Sequence, residues 1–170
     1  MNPAAYTPDT LLLELHEDLS AFLAANRGAL SVAAEMYDFL QLLTESPAGW
    51  RVVLLWEGEE NPGDDAQAGC FPTQRFSLGV TANLGLTASP EIGLIKPSAS
   101  RPALLQLVAA VRDYVRGHVF RGEVSTKYPL YKGADPVVLP DGMPLKAYRL
   151  RFELTVGLPP ALYRNDPSSS

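Results

Sequence analysis

Apolar and polar residues alternate near the end of the chain, where the sequence reads AYRLRFELTV. A period of two is the pattern of a strand that buries one of its faces. It predicts a strand over residues 147–156, with an apolar face in a core and a polar face toward water or a partner. The apolar face carries Tyr148, Leu150, Phe152, Leu154 and Val156, and the polar face carries Arg149, Arg151, Glu153 and Thr155.

A segment rich in turn residues precedes this strand. It contains Pro136, Pro140 and Pro144 and the turn pair Asp141-Gly142, which interrupt a continuous hydrogen-bonded ladder. Residues 128–132 are therefore predicted to pair with residues 147–156 as a hairpin whose connection is long and stiff. A rigid connection of this kind presents a surface more than it folds around a ligand.

Two segments near the start of the chain repeat apolar residues at the spacing of an amphipathic helix. The first covers residues 9–25 and ends at Asn26-Arg27-Gly28, where Gly28 can adopt a positive φ. The second covers residues 30–44 and ends at the turn-forming sequence SPAG. We therefore expect two helices before the first strand.

A third amphipathic segment, over residues 102–116, has the clearest helical period of the chain. Ser100 is a suitable N-cap, Pro102 suits the first turn, and Gly117 ends the pattern. The apolar residues of this segment predict a helix face that packs on a sheet. They are Leu104, Leu107, Val108, Val111 and Val115.

Two segments in the middle of the chain are typical of strands. Residues 50–57, WRVVLLWE, form an apolar and partly β-branched run that predicts a strand buried on both faces. Residues 76–86 alternate less regularly, and Gly79 and Gly85 either weaken this strand or mark bulges. The acidic, glycine-rich residues 58–69 predict an exposed loop, so the two strands are expected to form a long-looped hairpin.

The order of these elements predicts an α+β fold, with a mostly antiparallel sheet of about four strands and helices packed on one face. A chain of 170 residues fits a single domain, which we assign to residues 1–164. The polar residues 165–170 are expected to form a flexible C-terminal tail.

Charge is distributed unevenly, although the net charge is only −5. Residues 1–95 carry 13 acidic and 3 basic side chains, whereas residues 96–170 carry 6 acidic and 11 basic ones. This asymmetry favours self-association of the acidic part of one subunit with the basic part of the next, or simple solvation of the surface. Because the basic residues are scattered, specific nucleic-acid binding is not expected.

The histidines and the cysteine, residue types that often act as catalytic groups or metal ligands, have no suitable partners near them in the sequence. The residue four positions after His16 is Ser20, a poor metal ligand, and His118 follows a helix end, where an imidazolium would interact with the last carbonyl groups. The single cysteine, Cys70, has no histidine near it, and the acidic loop around Asp64 lacks the spacing of a calcium loop. We therefore expect no catalytic, cofactor or metal site, and no enzyme.

The N-terminal sequence MNPAAYTPDT lacks the basic and apolar regions of a signal peptide. No apolar run approaches the roughly 18 residues that a membrane span requires. A single cysteine suits a reducing compartment. These features predict a cytoplasmic protein without a membrane partner.

The C-terminal third combines the helix LLQLVAAVRDYVRG, the segment YPLYKG, a proline-rich turn and the closing strand LKAYRLRFELTV. The sequence RVVLLWEGEE supplies an early strand with its acidic loop. In this order of elements the chain resembles the tail terminator, or tail completion, proteins of long-tailed bacteriophages and prophages. Proteins of that family form a ring on the end of the tail tube, stop its polymerisation and give the head a docking surface.

The resemblance implies a ring-forming structural protein without cofactors. Its partners would be copies of itself, tail tube proteins and head-connector proteins, in the cytoplasm during assembly and afterwards in the virion tail. Two alternatives stay open: a head–tail connector, tube or baseplate component, and a small ligand-binding or enzymatic α+β domain. Opposite charges suit the two different patches that meet in a ring. The candidate interface residues are Arg149, Arg151, Glu153, Glu59, Glu60 and Asp64.

Overall fold

The computed structural model describes residues 8–45, 49–60, 73–84, 91–98, 101–121 and 128–155. Their elements are α1 (Pro8–Ala25), β1 (Gly28–Ala33), α2 (Met36–Thr44), β2 (Trp50–Glu60), β3 (Thr73–Asn83), α3 (Glu91–Leu94), α4 (Leu104–Arg116), β4 (Leu130–Pro136) and β5 (Leu145–Thr155). Asp64, Cys70, Gly85, Ser100 and the predicted tail 165–170 lie outside the described residues. Among the described residues, no helix is both long and apolar enough to span a membrane.

The strands form one five-stranded sheet in the order β1-β2-β3-β5-β4. β1 runs parallel to β2, and the other three neighbouring pairs are antiparallel. The predicted α+β class with a mostly antiparallel sheet is therefore confirmed. Both predicted hairpin pairings are also confirmed, since β2 pairs with β3 and β4 pairs with β5.

The predicted helix over residues 30–44 is wrong in its first part. Gly28–Ala33 form the edge strand β1, and α2 begins only at Met36. Alanine and leucine in this segment are compatible with a helix, which is why the sequence pattern favoured one. Pairing with β2 along the whole length of β1 instead satisfies the backbone groups on its inner side, so tertiary hydrogen bonding overrides the local preference.

The turn between α1 and β1 also differs from the prediction. Arg27, rather than Gly28, adopts the left-handed conformation, with φ of 60°. Gly28 serves close packing instead, because a Cβ there would lie 2.8 Å from Cε2 of Trp50. The Trp50 indole occupies this space and donates its Nε1–H to the Asn26 carbonyl at 3.0 Å.

Several predicted element boundaries shift in the structure. β3 begins at Thr73 rather than at residue 76, and β4 covers Leu130–Pro136 rather than residues 128–132. Ala103 is the N-cap of α4, and its backbone N–H donates to Oε1 of Gln106 at 2.9 Å, so Pro102 precedes the helix rather than lying in its first turn. β2 continues to Glu60 through a bulge at Gly58, whose φ is 114°. The first residues of the predicted loop 58–69 are therefore strand.

Two helices, α1 and α4, cover one face of the sheet, which we call the first face. The predicted apolar side of β5 faces them: Leu150, Phe152 and Leu154 are at most 1% exposed. The Phe152 ring stacks on Phe76 with 5.4 Å between centroids and is tilted against Tyr131 at 5.5 Å. The predicted apolar stripe of α4 is buried, as are four leucines of α1, Leu11, Leu15, Leu19 and Leu23.

The shorter helix α2 covers part of the opposite, second face of the sheet. Phe39 and Leu43 of α2 pack with Val53, Leu55 and Ala147, whereas the alternate residues of β2 and β5 join the first-face core. Helices therefore lie on both sides of the sheet, not on one side alone. Within the predicted strand 50–57, β2 is buried on both faces from Val52 to Leu55, whereas Trp56 and the residues after it are partly or fully exposed.

At Gly79, α2 approaches the sheet closely. Gly79 pairs regularly with Val53 and Arg149, so it marks no bulge. A Cβ at this position would lie 2.7 Å from Cζ of Phe39 and 2.8 Å from Cδ2 of Leu43. We expect Gly79→Ala to lower the free energy of unfolding by about 1–3 kcal/mol, because the added methyl overpacks this contact. Urea unfolding measures the loss.

A double-mutant cycle provides the control for this prediction. Phe39→Leu removes the ring atom that the new methyl of Gly79→Ala would meet. The double variant is expected to lose less stability than the sum of the two single variants. Strictly additive losses would show that Phe39 does not press against position 79.

Candidate interaction surface

Beyond α2, the second face of the sheet continues as a surface of charged side chains, which we call the polar face. Arg149, Arg151 and Glu153 of β5 lie on it, because they alternate with the buried residues of the first face. Glu60 reaches it from β2 and pairs with Arg75 of β3 at 3.6 Å. Four of the predicted interface residues therefore lie on the same side of the sheet.

Glu59 lies on the opposite side from this group. Its carboxylate accepts a hydrogen bond from Nε2 of Gln74 at 2.5 Å, and Oε1 of Gln74 accepts one from the Trp56 indole at 3.0 Å. Gln74 pairs with Leu154, a residue of the first-face core. Glu59 therefore does not share the polar face with Arg149, and Asp64 lies outside the described residues.

Each of the four residues on the polar face has an ion-pair partner within the chain. The pairs are Arg149 with Glu57, Arg151 with Asp135 at 2.9 Å, Glu153 with Lys132 at 3.3 Å, and Glu60 with Arg75. Arg149 also donates its Nε–H to Oγ of Ser77 at 3.0 Å. Solvent-exposed pairs of this kind contribute only about 0–1 kcal/mol each. Their use in a subunit contact stays a prediction, while their role in joining strands of the sheet is visible.

The uneven charge distribution is partly balanced inside the subunit. Arg121 binds Asp18 at 2.5 Å, and Arg149 binds Glu57. In both pairs a basic residue of the C-terminal half meets an acidic residue of the N-terminal half. The charge distribution therefore supports self-association less strongly than the sequence suggested. Exposed apolar side chains indicate subunit contacts more directly.

One exposed apolar patch flanks α2 on the second-face side. Tyr37 and Leu40 of α2 are 71% and 40% exposed, and Val138, in the connection between β4 and β5, is 94% exposed. Together with Leu139 and Pro140 they line an open groove of about 620 Å³. We call this the Tyr37 patch. The proline-rich connection thus presents an apolar side chain to solvent.

A second exposed apolar patch lies on the first-face side, beside β1. Leu13 of α1, Val32 of β1 and Trp56 of β2 are 56%, 57% and 42% exposed. They line a groove of about 340 Å³ together with Leu54, the register partner of Val32 and a residue of the first-face core. We call this the Trp56 patch. Because β1 is an edge strand with neither charge nor proline, its edge lacks the usual protection against pairing.

No protein-family model matches the sequence. No curated protein sequence matches it significantly.

The two histidines occupy different environments. His16 lines the groove of the Trp56 patch. His118 is buried, and its Nε2 lies 3.7 Å from Oε1 of Glu14 and 3.8 Å from Oδ2 of Asp18. The sequence predicted an imidazolium at the end of α4, whereas the structure directs Nε2 toward two carboxylates of α1. Burial lowers the pKa of His118, although Asp18 and Glu14 oppose this shift.

Proposed function

We propose that the chain is a self-assembling structural subunit whose copies join head to tail. The observation that carries this proposal is the presence of two exposed apolar patches, the Tyr37 patch and the Trp56 patch, on opposite sides of the sheet. Exposed apolar clusters mark protein–protein contacts, because covering them removes apolar surface from water. When two different patches bind each other, the resulting heterologous interface yields closed rings or open filaments.

The edge of β1 supports the same contact. Val32 belongs both to this edge strand and to the Trp56 patch. A neighbouring subunit that covers the patch would also reach the outer backbone groups of β1, and edge strands readily accept a further chain. A single subunit contact would then bury the apolar patch and also pair the outer backbone groups of β1.

Within this class we propose the role of a tail terminator, a ring that caps the tail tube of a long-tailed phage or prophage and docks it to the head. The sequence resemblance supports this role, together with the packing of α4 on the sheet that contains the β4–β5 hairpin. Partners would then be copies of this chain, tail tube proteins and head-connector proteins. A terminator must form a closed ring, because an open filament would continue the polymerisation that it has to stop.

The mass of the purified protein in solution tests the proposal. Size-exclusion chromatography with light scattering is expected to show an oligomer of several subunits, whose fraction rises with protein concentration. Val138→Asp and Val32→Asp each place a charge in one patch and are expected to yield monomers, since a buried unpaired charge is costly. Lys146→Asp, at an exposed position of β5 outside both patches, is the matched control and should keep the oligomer.

Measuring the oligomer at high salt and imaging it by electron microscopy extend this test. An apolar contact is expected to persist at about 1 M NaCl, where the Debye length is roughly 3 Å, whereas assembly of acidic on basic halves would dissociate. Negative-stain images are expected to show closed rings with an open centre. A monomer at every protein concentration, or an oligomer that both aspartate variants leave intact, would contradict the proposal. Open filaments would contradict the tail terminator role alone.

A further inference from the structure

Glu14, Asp18 and His118 form a compact cluster that contains none of the residues lining the two apolar patches. Glu14 and Asp18 are four positions apart on α1, so their side chains share one side of the helix. His118 follows the end of α4 and packs against them. One ligand atom from each residue lies within 4.8 Å of the other two.

The imidazole of His118 leaves a buried nitrogen without a hydrogen-bond partner. Its side chain is only 6% exposed, and the carboxylate oxygens of Glu14 and Asp18 at 3.7 and 3.8 Å are too distant for hydrogen bonds. If Nε2 carries a proton, it lacks an acceptor, and if it does not, it lacks a donor. Leaving a buried polar atom in this state is costly, so a group that binds between the three side chains would stabilise the fold.

The spacing of the three ligand atoms suits a metal ion. Zinc binds histidine nitrogen and carboxylate oxygen at about 2.0–2.2 Å in a tetrahedron, which places neighbouring ligand atoms about 3.3–3.5 Å apart. The observed separations from Nε2, 3.7 and 3.8 Å, exceed this range only slightly. All three ligand atoms lie within 4.8 Å of one another, and side-chain rotation would bring them to bonding distance from one ion.

Arg121 holds both carboxylates in this arrangement. Its backbone N–H donates to Oε1 of Glu14 at 2.8 Å, and its Nη2 donates to Oδ1 of Asp18 at 2.5 Å. Oδ2 of Asp18 is the oxygen that faces His118. The Tyr114 hydroxyl donates to the Asp18 carbonyl at 2.9 Å. Outer contacts of this kind orient the ligands of metal sites.

Charge and donor type narrow the choice of ion. Two carboxylates and one guanidinium leave a net negative charge in the cluster when His118 is neutral, which attracts a cation. An imidazole ligand favours zinc and related transition metals over magnesium or calcium, which prefer oxygen. Three protein ligands leave a fourth position, and the Asp18 side chain, 28% exposed, lies on the accessible side of the cluster.

We propose that Glu14, Asp18 and His118 bind one divalent transition-metal ion of the zinc class, which joins α1 to the residues that follow α4. The site is independent of the apolar patches, so either proposal can fail without the other.

Isothermal titration of the untagged, chelator-treated full chain with zinc chloride tests this site. We expect saturable binding of one ion per chain. His118→Gln and Asp18→Asn are each expected to weaken binding by at least about tenfold, because even the outer partners of a metal site contribute tenfold to hundredfold. His16→Gln, which replaces the other histidine, and Cys70→Ser, which removes the single thiol, are matched controls and should leave the affinity unchanged.

A wild-type readout makes the test independent of how well the variants fold. In NMR spectra of the unaltered chain, zinc is expected to shift the imidazole signals of His118 and to leave those of His16 in place. The proposal is overturned if zinc does not bind saturably, if it shifts His16 instead of His118, or if folded His118→Gln keeps the wild-type affinity.

Discussion

Phe152→Ala is expected to lower the free energy of unfolding by about 3–5 kcal/mol, the range typical of deleting a buried aromatic ring. Phe152 is 1% exposed and lies between the rings of Phe76 and Tyr131 within the first-face core. Its loss removes apolar contact area and two aromatic contacts, and its neighbours on β3 and β4 cannot all move to fill the space. Since small domains have about 5–15 kcal/mol of stability in total, this single change threatens the fold.

Urea unfolding followed by circular dichroism measures this loss. Lys146→Ala, at an exposed position of the same strand, is the matched control and is expected to change stability by no more than about 0.5 kcal/mol. A loss below about 1 kcal/mol for Phe152→Ala, in the range of an ordinary surface substitution, would contradict the packing of β5 beneath the helices.

The sequence predicted β5 and α4 well because each has a long, regular period. The alternation within β5 identified Leu150, Phe152 and Leu154 as first-face core residues, and the apolar stripe of α4 identified its buried side chains. The alternation did not reveal that Leu145 and Ala147 are buried as well. Burial of half a strand or helix imposes its period on the sequence directly. Elements with such a regular period can be predicted from their own residues, without knowing which elements pack against them.

β1 could not be predicted in the same way. Its six residues, GALSVA, contain helix-compatible residues and too little alternation to indicate a strand. What makes it a strand is its parallel pairing with β2, which lies beyond α2 in the sequence. The need for glycine at position 79 could not be predicted either. Phe39 packs so closely against Gly79 that a Cβ would not fit, and this contact is visible only in the folded chain.

The faces on which the candidate interface residues lie follow from the strand period. Arg149, Arg151 and Glu153 share a face, as their alternation required, but Glu59 and Glu60 are consecutive and lie on opposite sides of β2. The same period of two could have separated them, had β2 been extended past residue 57 in the prediction.

The sequence contains only one local sign of the cluster around His118, the four-residue spacing of Glu14 and Asp18 on α1. The histidine that approaches them is far away in the sequence, and only the packing of α1 beside the end of α4 brings the three together. The expectation of no metal site was based on the sequence neighbours of each histidine. It could not include partners that meet only in the folded chain.

Cross-linking between the two apolar patches is expected to have the largest effect on the state of the protein in solution. In a Cys70→Ser background, one cysteine replaces Val32 in the Trp56 patch and another replaces Val138 in the Tyr37 patch. Both side chains are more than half exposed, at 57% and 94%, so substitution should leave the cores intact. A short bis-maleimide then joins thiols that a subunit contact brings together.

Head-to-tail assembly predicts a different set of cross-linked products for each variant. In a heterologous contact one patch meets the other, so neither single-cysteine variant should cross-link efficiently to itself. A mixture of the two single variants should give covalent dimers and no larger species. The double variant should give a ladder of covalent oligomers, because every subunit then carries both reactive positions.

This ladder is the most direct measurement of the central claim that one patch binds the other. Denaturing electrophoresis of the double variant is expected to show a series of bands that stops at the number of subunits in a closed ring. Efficient self-cross-linking of either single variant would show that like patches meet across a twofold axis. That result, or a double variant that stays monomeric after treatment, would contradict head-to-tail assembly.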